Sequence, residues 1–295
     1  MADGLEGRIV KGIGGFYYVE TAAGDTYECR ARGIFRKDGK KPLVGDRVRI
    51  GIVDEAKKEG SVDEILPRQN ALIRPEVANV DVALLVFACA SPEPSLLLLD
   101  RFLVMLRSQG VKCLLIFNKA DLVEPERLKE LQQIYQGADA EVRCISAKSG
   151  GTEEILECIR GKTALLAGPS GVGKSTIINR LCPQAQMETG EISKKLKRGK
   201  HTTRHAELFC VEADTYLFDT PGFTALSLGE MPEEEIRVYY PEFLPYEGQC
   251  RFRECSHTHE PGCAVRGAVE SGAIHSDRHK AYCALYEEQK NRKRY

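Results

Sequence analysis

A glycine-rich segment at residues 168–175 constrains the fold of this chain more than any other feature. It reads GPSGVGKS, follows the apolar run TALLA and opens the helical pattern KSTIINRLC. A loop of this kind surrounds phosphate oxygens with backbone N–H groups, and the start of the helix adds partial positive charge. The predicted phosphate-binding residues are Gly168, Pro169, Ser170, Gly171, Val172, Gly173, Lys174, Ser175 and Thr176.

Four compact apolar runs without polar alternation surround this loop in the sequence. They cover residues 81–90, 111–119, 141–146 and 163–168, and helical patterns lie between them. Strands that are buried on both faces of a parallel sheet have this composition. We therefore predict a doubly wound α/β domain over residues 71–228.

The two flanking regions predict two further domains, so the fold class is multidomain α/β. In residues 1–70 the runs GRIVKG, FYYVET, DTYECRAR and DRVRIGIV indicate a small antiparallel barrel. About five strands favour an OB-like β-barrel, and an SH3-like barrel is the alternative that periodicity does not separate. Residues 229–295 are rich in Cys, His, Gly and Pro before a polar helical stretch, which predicts a mostly helical domain.

A second loop predicts which base is bound. The sequence NKAD at residues 118–121 follows the apolar run CLLIF, and SAK at 146–148 follows EVRCI. The Asp121 carboxylate can accept hydrogen bonds from guanine N1–H and from its exocyclic amine, and adenine offers neither donor. The second loop is expected to bring a backbone N–H to guanine O6. The predicted guanine-side residues are Asn118, Lys119, Asp121, Ser146, Ala147 and Lys148.

Residues near the γ-phosphate follow later in the chain. Asp219 begins the sequence DTPG after the short run TYLF, where its carboxylate can hold Mg²⁺ through water. The N–H of Gly222 is expected to meet the γ-phosphate. Ser175 and a threonine of the sequence HTTR complete the predicted Mg²⁺ shell, and the TTR form of that loop favours Thr203 over Thr202.

The residue after DTPG affects the predicted chemistry. Phe223 stands where Ras-like enzymes carry a glutamine that orients the attacking water, and a phenyl ring cannot hydrogen-bond water. We therefore predict slow unaided turnover, with His201, or His205 as the second candidate, supplying the water contact. The predicted catalytic residues are His201, Lys174 and Thr203.

The motifs occur in the order NKAD, SAK, phosphate loop, HTTR and DTPG. Ras-like GTPases carry the phosphate loop first and the guanine loops last, so this order is a circular permutation. Domains whose termini lie close together tolerate such rearrangement. The order predicts a circularly permuted P-loop GTPase domain in which the DTPG loop leads directly into the C-terminal region.

Cysteine and histidine cluster in the C-terminal region. Cys250, Cys255, His257 and Cys263 could form a closed, tetrahedral Cys₃His site for one structural Zn²⁺. We expect little apolar core in this region, so the metal would supply folding energy on the order of 10 kcal/mol. The alternative ligands are His259, His275, His279 and Cys283.

Charge and hydropathy limit the possible partners. The net charge is −1, and no apolar stretch is long enough to span a membrane. Basic residues are nevertheless concentrated locally, at 28–41 among aromatic side chains, at 194–204 and in the tail, which favours a composite RNA surface. The basic residues of the first patch are Arg30, Arg32, Arg36, Lys37, Lys40 and Lys41.

The sequences CRARGIFR, PLVGDRV, NKAD, SAKSG, GPSGVGKST, GKHTTR, DTPGF and CRFRECSHTHEPGCAV resemble the RsgA (YjeQ/YloQ) family along nearly the whole chain. The resemblance implies a cytoplasmic, monomeric GTPase with an OB-fold, which acts in late assembly of the 30S subunit. It also implies binding to 16S rRNA and ribosome-stimulated hydrolysis of GTP to GDP. It assigns the zinc ligands to Cys250, Cys255, His257 and Cys263, and it supports His201. The alternative function is a GTP-gated RNA-binding module in which turnover has little importance.

Overall fold

The structure is a computed structural model that describes residues 4–33, 35, 40–185, 206–219 and 227–292. Several residues singled out in the sequence lie outside the described residues, namely Arg36, Lys37, His201, Thr202, Thr203, His205, Gly222 and Phe223. The chain forms two compact units. The first unit comprises residues 1–82, 152–167 and 175–223, and the second comprises 83–151, 168–174 and 224–295.

The secondary structure of the described residues alternates strands and helices after an all-β start. The strands are β1 Leu5–Ile13, β2 Phe16–Thr21, β3 Thr26–Ala31, β4 Arg47–Asp54, β5 Glu59–Ile65, β6 Val82–Ala88, β7 Lys112–Asn118, β8 Glu141–Cys144, β9 Thr163–Ala167, β10 Glu207–Glu212 and β11 Thr215–Asp219. The α-helices are α1 Leu96–Ser108, α2 Pro125–Ile134, α3 Thr152–Ile159, α4 Lys174–Leu181, α5 Ala264–Glu270 and α6 Ser276–Arg292. Short 3₁₀ helices cover Ala120–Leu122, Pro183–Ala185, Glu233–Tyr239 and Pro241–Tyr246.

Strands β1 to β5 of the first unit form a closed barrel. Strand β1 pairs with β2 and β4, β2 pairs with β3, β3 runs parallel to β5, and β5 pairs with β4. Alternate residues point inward and are fully buried because each strand has one apolar face. These residues are Ile9, Val19, Cys29, Val48, Ile50 and Val62. The closed five-stranded barrel confirms the OB-like prediction.

The turn before β4 is fixed by a glycine and a buried ion pair. Gly45 has φ +95°, and a Cβ there would lie 2.2 Å from the carbonyl oxygen of Ala78. The next residue, Asp46, is fully buried and accepts hydrogen bonds from Arg68 Nε at 2.7 Å and Nη2 at 2.8 Å. Gly45 and Asp46 therefore fix the segment after β5, which contains Arg68 and Ala78, against the barrel.

The first unit also contains the strands next to the phosphate loop and the DTPG loop. Strand β10 pairs with β1 and forms an antiparallel hairpin with β11, and β11 runs parallel to β9. Arg8 on β1 donates to Thr163 Oγ1 at 3.0 Å, and its guanidinium lies 4.2 Å from the ring centre of Tyr216. The barrel is thus joined to these strands by backbone pairing and by a half-buried cation.

The second unit contains a small sheet and the helices α1, α2, α5 and α6. Strand β6 is hydrogen-bonded to β7, and β7 runs parallel to β8. Residues 83–88 of β6 are completely buried, as expected for a strand covered on both faces. Helix α1 is N-capped by Ser95, whose Oγ accepts from Leu98 N at 3.3 Å.

A charged cluster in the core of the second unit attaches the C-terminal module, defined as residues 227–292, to α1. Arg278 on α6 is almost completely buried and pairs with Asp100 on α1 and with Glu242, its Nε lying 2.7 Å from Glu242 Oε1. The guanidinium also lies 4.5 Å from the ring centre of Tyr240 and 5.2 Å from that of Tyr135. Burial raises the pKa of Asp100 to about 6. One cation thus compensates two desolvated carboxyl groups.

The C-terminal module has an aromatic core. The ring centres of Tyr240 and Phe243 are 5.2 Å apart, and those of Phe243 and Tyr282 are 4.9 Å apart. All three side chains are fully buried. The expectation of little apolar core was wrong, because aromatic residues spaced far apart in the sequence converge between α6 and the 3₁₀ helices. None of the helices in the described part of the chain has the length and apolar character to cross a membrane.

Replacing Arg278 with methionine should destabilise the second unit strongly. Asp100 and Glu242 would remain as buried carboxyl groups without a counter-charge, so we expect the free energy of unfolding to fall by about 3–5 kcal/mol at neutral pH. The loss should be smaller at pH 5 than at pH 8, because protonation of a carboxyl group with a raised pKa relieves the unpaired charge. Urea denaturation followed by circular dichroism measures both effects.

Arg127→Met is the matched control for this experiment. Arg127 is 30% exposed and pairs with the exposed side chains of Glu93 and Glu130 in the same unit, where each ion pair contributes less than about 1 kcal/mol. Equal losses for the two variants would contradict the assigned role of Arg278.

Candidate nucleotide site and metal centre

Two glycines give the phosphate loop its shape. Gly168 has φ +143°, and a Cβ there would lie 2.0 Å from the carbonyl oxygen of Val86. Gly173 has φ +101°, and a Cβ there would lie 2.2 Å from Asn118 Nδ2. Any larger residue at either position would collide with backbone or with a buried amide. The loop can therefore turn tightly at the end of β9 only with glycine at these places.

The ammonium group of Lys174 lies against the backbone of the phosphate loop. Lys174 Nζ donates to the carbonyl oxygens of Gly168 at 2.8 Å and Pro169 at 2.6 Å. Lys174 is the first residue of α4, and Ser175 and Thr176 follow in the first helical turn. Backbone N–H groups at the start of a helix lack intrahelical partners, so this end of α4 favours an anion.

The side chain of Asn118 joins three loops of the second unit. Asn118 ends β7 and is only 3% exposed. Its Nδ2 donates to the carbonyl oxygen of Val172 in the phosphate loop at 2.8 Å, and its Oδ1 accepts from Ala147 N in the SAK loop at 2.9 Å. Both polar ends of the buried amide are therefore satisfied, and the predicted base-side and phosphate-side loops meet at one residue.

The predicted base-reading carboxylate lies on the outer side of this junction. Asp121 is exposed, and its Oδ1 accepts a hydrogen bond from Ser146 Oγ. Ala120 N donates to the carbonyl oxygen of Ile145 at 3.0 Å, which ties the NKAD loop to the SAK loop a second time. Lys119 has φ +62°, and its Nζ donates to the carbonyl oxygen of Ser91. Lys148 is exposed beside them.

The structure describes two of the predicted Mg²⁺-side residues, Asp219 and Ser175. Asp219 is the last residue of β11 and pairs with Glu207 on β10, and both strands belong to the first unit together with Ser175. The remaining residues predicted for this side are His201, Thr203 and Gly222, which lie outside the described residues.

The cysteine cluster brings four potential metal ligands together in the C-terminal module. The ligand atoms of Cys250, Cys255, His257 and Cys263 all lie within 4.8 Å of one another. His257 Nδ1 is 3.5 Å from Cys250 Sγ and 3.4 Å from Cys263 Sγ, and the two sulfur atoms are 3.9 Å apart. Burial raises the pKa of the Cys255 thiol to about 12, so a thiolate there requires a nearby cation.

The alternative ligands lie apart from this cluster. His259 is exposed, and its Nδ1 is 2.8 Å from Thr258 Oγ1. His279 Nε2 is 2.7 Å from the backbone oxygen of His257 and 3.6 Å from Cys283 Sγ. His275 Nδ1 lies 3.8 Å from Asp277. None of these side chains contributes a ligand atom to the group of four.

A basic and aromatic cavity opens on the barrel. It has a volume of about 690 Å³, and its lining includes Phe16, Tyr17, Arg30, Arg32 and Lys41. The Arg30 guanidinium lies 4.6 Å from the ring centre of Phe16. Tyr27, another aromatic residue of the predicted patch, is instead buried in the barrel.

Two residues next to these sites carry no sequence signal. Ser91 supplies the carbonyl that holds Lys119, and any residue type has such a carbonyl. Glu247 Oε1 lies 3.8 Å from Nε2 of His257, opposite the nitrogen that faces the cysteines. A glutamate in a polar segment is ordinary, so only the folded chain identifies it as a neighbour of the cluster.

Comparison with known proteins identifies the family of this chain. A model of the RsgA GTPase family matches residues 65–229, and a model of the RsgA N-terminal domain matches residues 6–62. A relative from Agathobacter rectalis, named small ribosomal subunit biogenesis GTPase RsgA, is 50% identical over 99% of this chain and 100% of its own length.

Solved structures of similar proteins also point to this family. The crystal structure of YjeQ from Thermotoga maritima is 34% identical, with a TM-score of 0.83 over 97% of this chain and 98% of that one. The structure of YloQ, described as a circularly permuted GTPase, is also 34% identical, with a TM-score of 0.79 over 99% of this chain and 96% of that one. The resemblance inferred from the motifs is confirmed, and the chain belongs to the RsgA GTPase family.

Proposed function

We propose that this protein hydrolyses GTP to GDP and phosphate while bound to the maturing 30S ribosomal subunit, and that it assists or checks a late step of small-subunit assembly. The names of its relatives support the GTPase activity and the small-subunit partner. The observation that carries the proposal is the Asn118 amide, whose two hydrogen bonds join the base-side loop to the phosphate loop.

The guanine-side loops and the phosphate loop supply the nucleotide contacts in this proposal. Asp121 accepts from guanine N1–H and the exocyclic amine, with Ser146 Oγ already fixing one of its oxygens. Lys174 turns from the loop carbonyls towards the β- and γ-phosphates, and the backbone N–H groups of residues 168–175 surround their oxygens. Binding then depends on two charges of opposite sign at the two ends of the nucleotide.

Mg²⁺ fits the oxygen donors proposed for the phosphate end. Ser175 and Thr203 would provide hydroxyl oxygens, and the Asp219 carboxylate would act through water. Bound there, the ion would neutralise charge that develops on the phosphate oxygens. We propose that His201 orients the attacking water, because Phe223 cannot.

Zinc fits the cysteine cluster. Ligand atoms about 2.0–2.3 Å from a central tetrahedral ion lie roughly 3.5–3.8 Å apart. His257 Nδ1 lies 3.4 Å from Cys263 Sγ and 3.5 Å from Cys250 Sγ, and the two sulfur atoms are 3.9 Å apart, which matches that arrangement. Cys250, Cys255, His257 and Cys263 would hold the ion in a closed structural site. The ion's role is to keep the loop between these ligands folded against α6.

The barrel supplies the proposed RNA contact. Arg30, Arg32 and Lys41 can neutralise phosphates, and Phe16 offers a ring on which an unpaired base can stack. We propose 16S rRNA as the ligand and a cytoplasmic monomer as the active form. The proposed domains are residues 1–70 for RNA, 71–228 for the nucleotide and 229–295 for zinc.

Asp121→Asn should change the base that is bound. An asparagine amide can accept from one guanine donor and then places its own NH₂ against the other, so we expect GTP affinity to fall at least about 100-fold. Xanthosine triphosphate, which has a carbonyl in place of the amine, should bind the variant more tightly than GTP. Isothermal titration with GTP, ATP and xanthosine triphosphate measures the order. Unchanged preference for GTP would contradict the assignment of Asp121.

Cys255→Ser should release the zinc ion. Loss of one thiolate leaves three ligands, so we expect less than one-tenth of the wild-type zinc by elemental analysis, together with faster proteolysis within residues 250–263. Cys283→Ser is the matched control, because Cys283 lies outside the cluster on α6. Equal zinc loss in both variants, or a wild-type protein without zinc, would show that the ligand set is wrong.

GTP hydrolysis with and without purified 30S subunits tests the function itself. We expect the subunits to accelerate hydrolysis by the wild-type chain at least about 10-fold. His201→Ala should remove most of this stimulation, because the ring that orients the water is lost, with unchanged affinity for GTP. His259→Ala, which alters an exposed histidine of the C-terminal module, is the control. A wild-type chain without stimulation would refute the proposed function, whereas a fully stimulated His201→Ala variant would refute only the role of His201.

A further inference from the structure

One edge of strand β1 changes its partner halfway along the strand. Residues Leu5 to Arg8 pair with β4 and complete the barrel. Further along this edge Lys11 pairs with Glu207 of β10, and on the opposite edge the pairing with β2 shifts register between Ile9 and Lys11. The same edge therefore belongs first to the barrel and then to the hairpin that ends at Asp219.

The register places three charged residues in one row across β1, β10 and β11. Lys11 is opposite Glu207, and Glu207 is opposite Asp219. Directly opposed residues of antiparallel strands share a face, with about 5 Å between neighbouring strands. Lys11 Nζ lies 2.9 Å from Glu207 Oε1, so the lysine neutralises the carboxylate beside Asp219.

The other edge of β1 leads to the barrel cavity. Lys11 is opposite Tyr18 of β2, and the next two pairs are Gly12 with Tyr17 and Ile13 with Phe16. Tyr17 and Phe16 line the cavity. Of the three residues in the row, Lys11 therefore lies nearest the proposed RNA face. Its side chain is 36% exposed, so an RNA phosphate can reach the ammonium group.

We propose that the Lys11–Glu207 ion pair couples RNA binding on the barrel to the Mg²⁺ side of the nucleotide site. In this coupling an RNA phosphate competes with Glu207 for the Lys11 ammonium. Glu207 then stands unpaired about 5 Å from Asp219, and the added negative potential favours a divalent cation there. Lys11 and Glu207 are positioning residues, since their effect reaches the nucleotide through Asp219. The inference rests on the proposed function.

The coupling is measurable as a change in Mg²⁺ requirement rather than in rate. The full-length protein is titrated with Mg²⁺ in the presence of a fluorescent, non-hydrolysable GTP analogue, with and without saturating 30S subunits. A unit charge roughly 10 Å from a divalent ion in screened solvent changes its affinity about two- to fourfold. We expect the subunits to lower the half-saturating Mg²⁺ concentration of the wild-type protein by that factor.

Substitutions at the two positions should shift the baseline in opposite directions. Lys11→Met leaves Glu207 unpaired, so the half-saturating Mg²⁺ concentration should be low with or without subunits. Glu207→Gln removes the charge, so the concentration should be high in both conditions. Lys11→Arg keeps the cation and should restore the response to subunits. Glu212→Gln is the matched control, because Glu212 ends the same strand and pairs with Arg160 at 2.8 Å, away from Lys11.

The results separate this inference from the function on which it rests. If 30S subunits fail to stimulate hydrolysis by the wild-type protein, the proposed function and the coupling are both wrong. If stimulation occurs but the wild-type Mg²⁺ requirement does not change, the coupling alone is overturned. It is also overturned if Lys11→Met or Glu207→Gln retains the wild-type response, if Lys11→Arg does not restore it, or if Glu212→Gln abolishes it.

Discussion

The buried amide of Asn118 is the interaction on which the nucleotide site of the second unit depends. Its side chain hydrogen-bonds both to the phosphate loop and to the SAK loop. A buried amide that lost either partner would leave an unsatisfied polar group, which costs about 1–3 kcal/mol. Gly173 completes the arrangement, because a Cβ there would occupy the space of Asn118 Nδ2. The location of Asp121 follows from this junction, three residues further along the chain.

The C-terminal module is held to the same unit by charge as well as by aromatic packing. Helix α6 carries Arg278 near its start and Gln289 near its end. Gln289 is buried and donates to the carbonyl oxygen of Met231 at 2.7 Å, and Arg292 donates to that of Gly229 at 2.9 Å. The chain that follows the DTPG loop in sequence is therefore fixed to the last helix within ten residues of Gly222. The attachment matters because the permuted motif order places the DTPG loop directly before the module in the sequence.

Most of the strands, helices and motif loops could be predicted from patterns within short stretches of the sequence. Strands such as β6 and β7 are continuous apolar runs, and the loops that follow them carry glycine or Asn-Lys-X-Asp patterns that act over a few residues. Strand β5 was not singled out, because its sequence EGSVDEI contributes only one large buried side chain, Val62. Strand β10 was missed for a similar reason, since only Leu208 of its six residues is buried. Both strands exist because their partners are already in place.

Long-range charge pairs were beyond prediction from the sequence. Asp100 interrupts an apolar helix and could have been suspected of having a buried partner, but nothing in the polar sequence of α6 distinguishes Arg278 from the other cations near it. The cluster of Cys250, Cys255, His257 and Cys263 shows the opposite case. Its four potential ligands lie within fourteen residues, so their spacing restricted the set of candidate ligands. The choice of His257 over His259 nevertheless required either the family resemblance or the folded loop.

The Lys11–Glu207 pair is half-exposed, which suits an ion pair that links the proposed RNA face to Asp219. A fully buried pair such as Arg278–Asp100 cannot give up its cation without a penalty of several kcal/mol, so it can only hold a structure together. A fully exposed pair is screened by salt and changes little at a neighbouring site. Lys11 and Glu207 are 36% and 39% exposed, so the ammonium can move to a phosphate at small cost while Glu207 remains fixed by its strand beside Asp219. In the proposed coupling, the register of β1, β10 and β11 connects the barrel to Asp219.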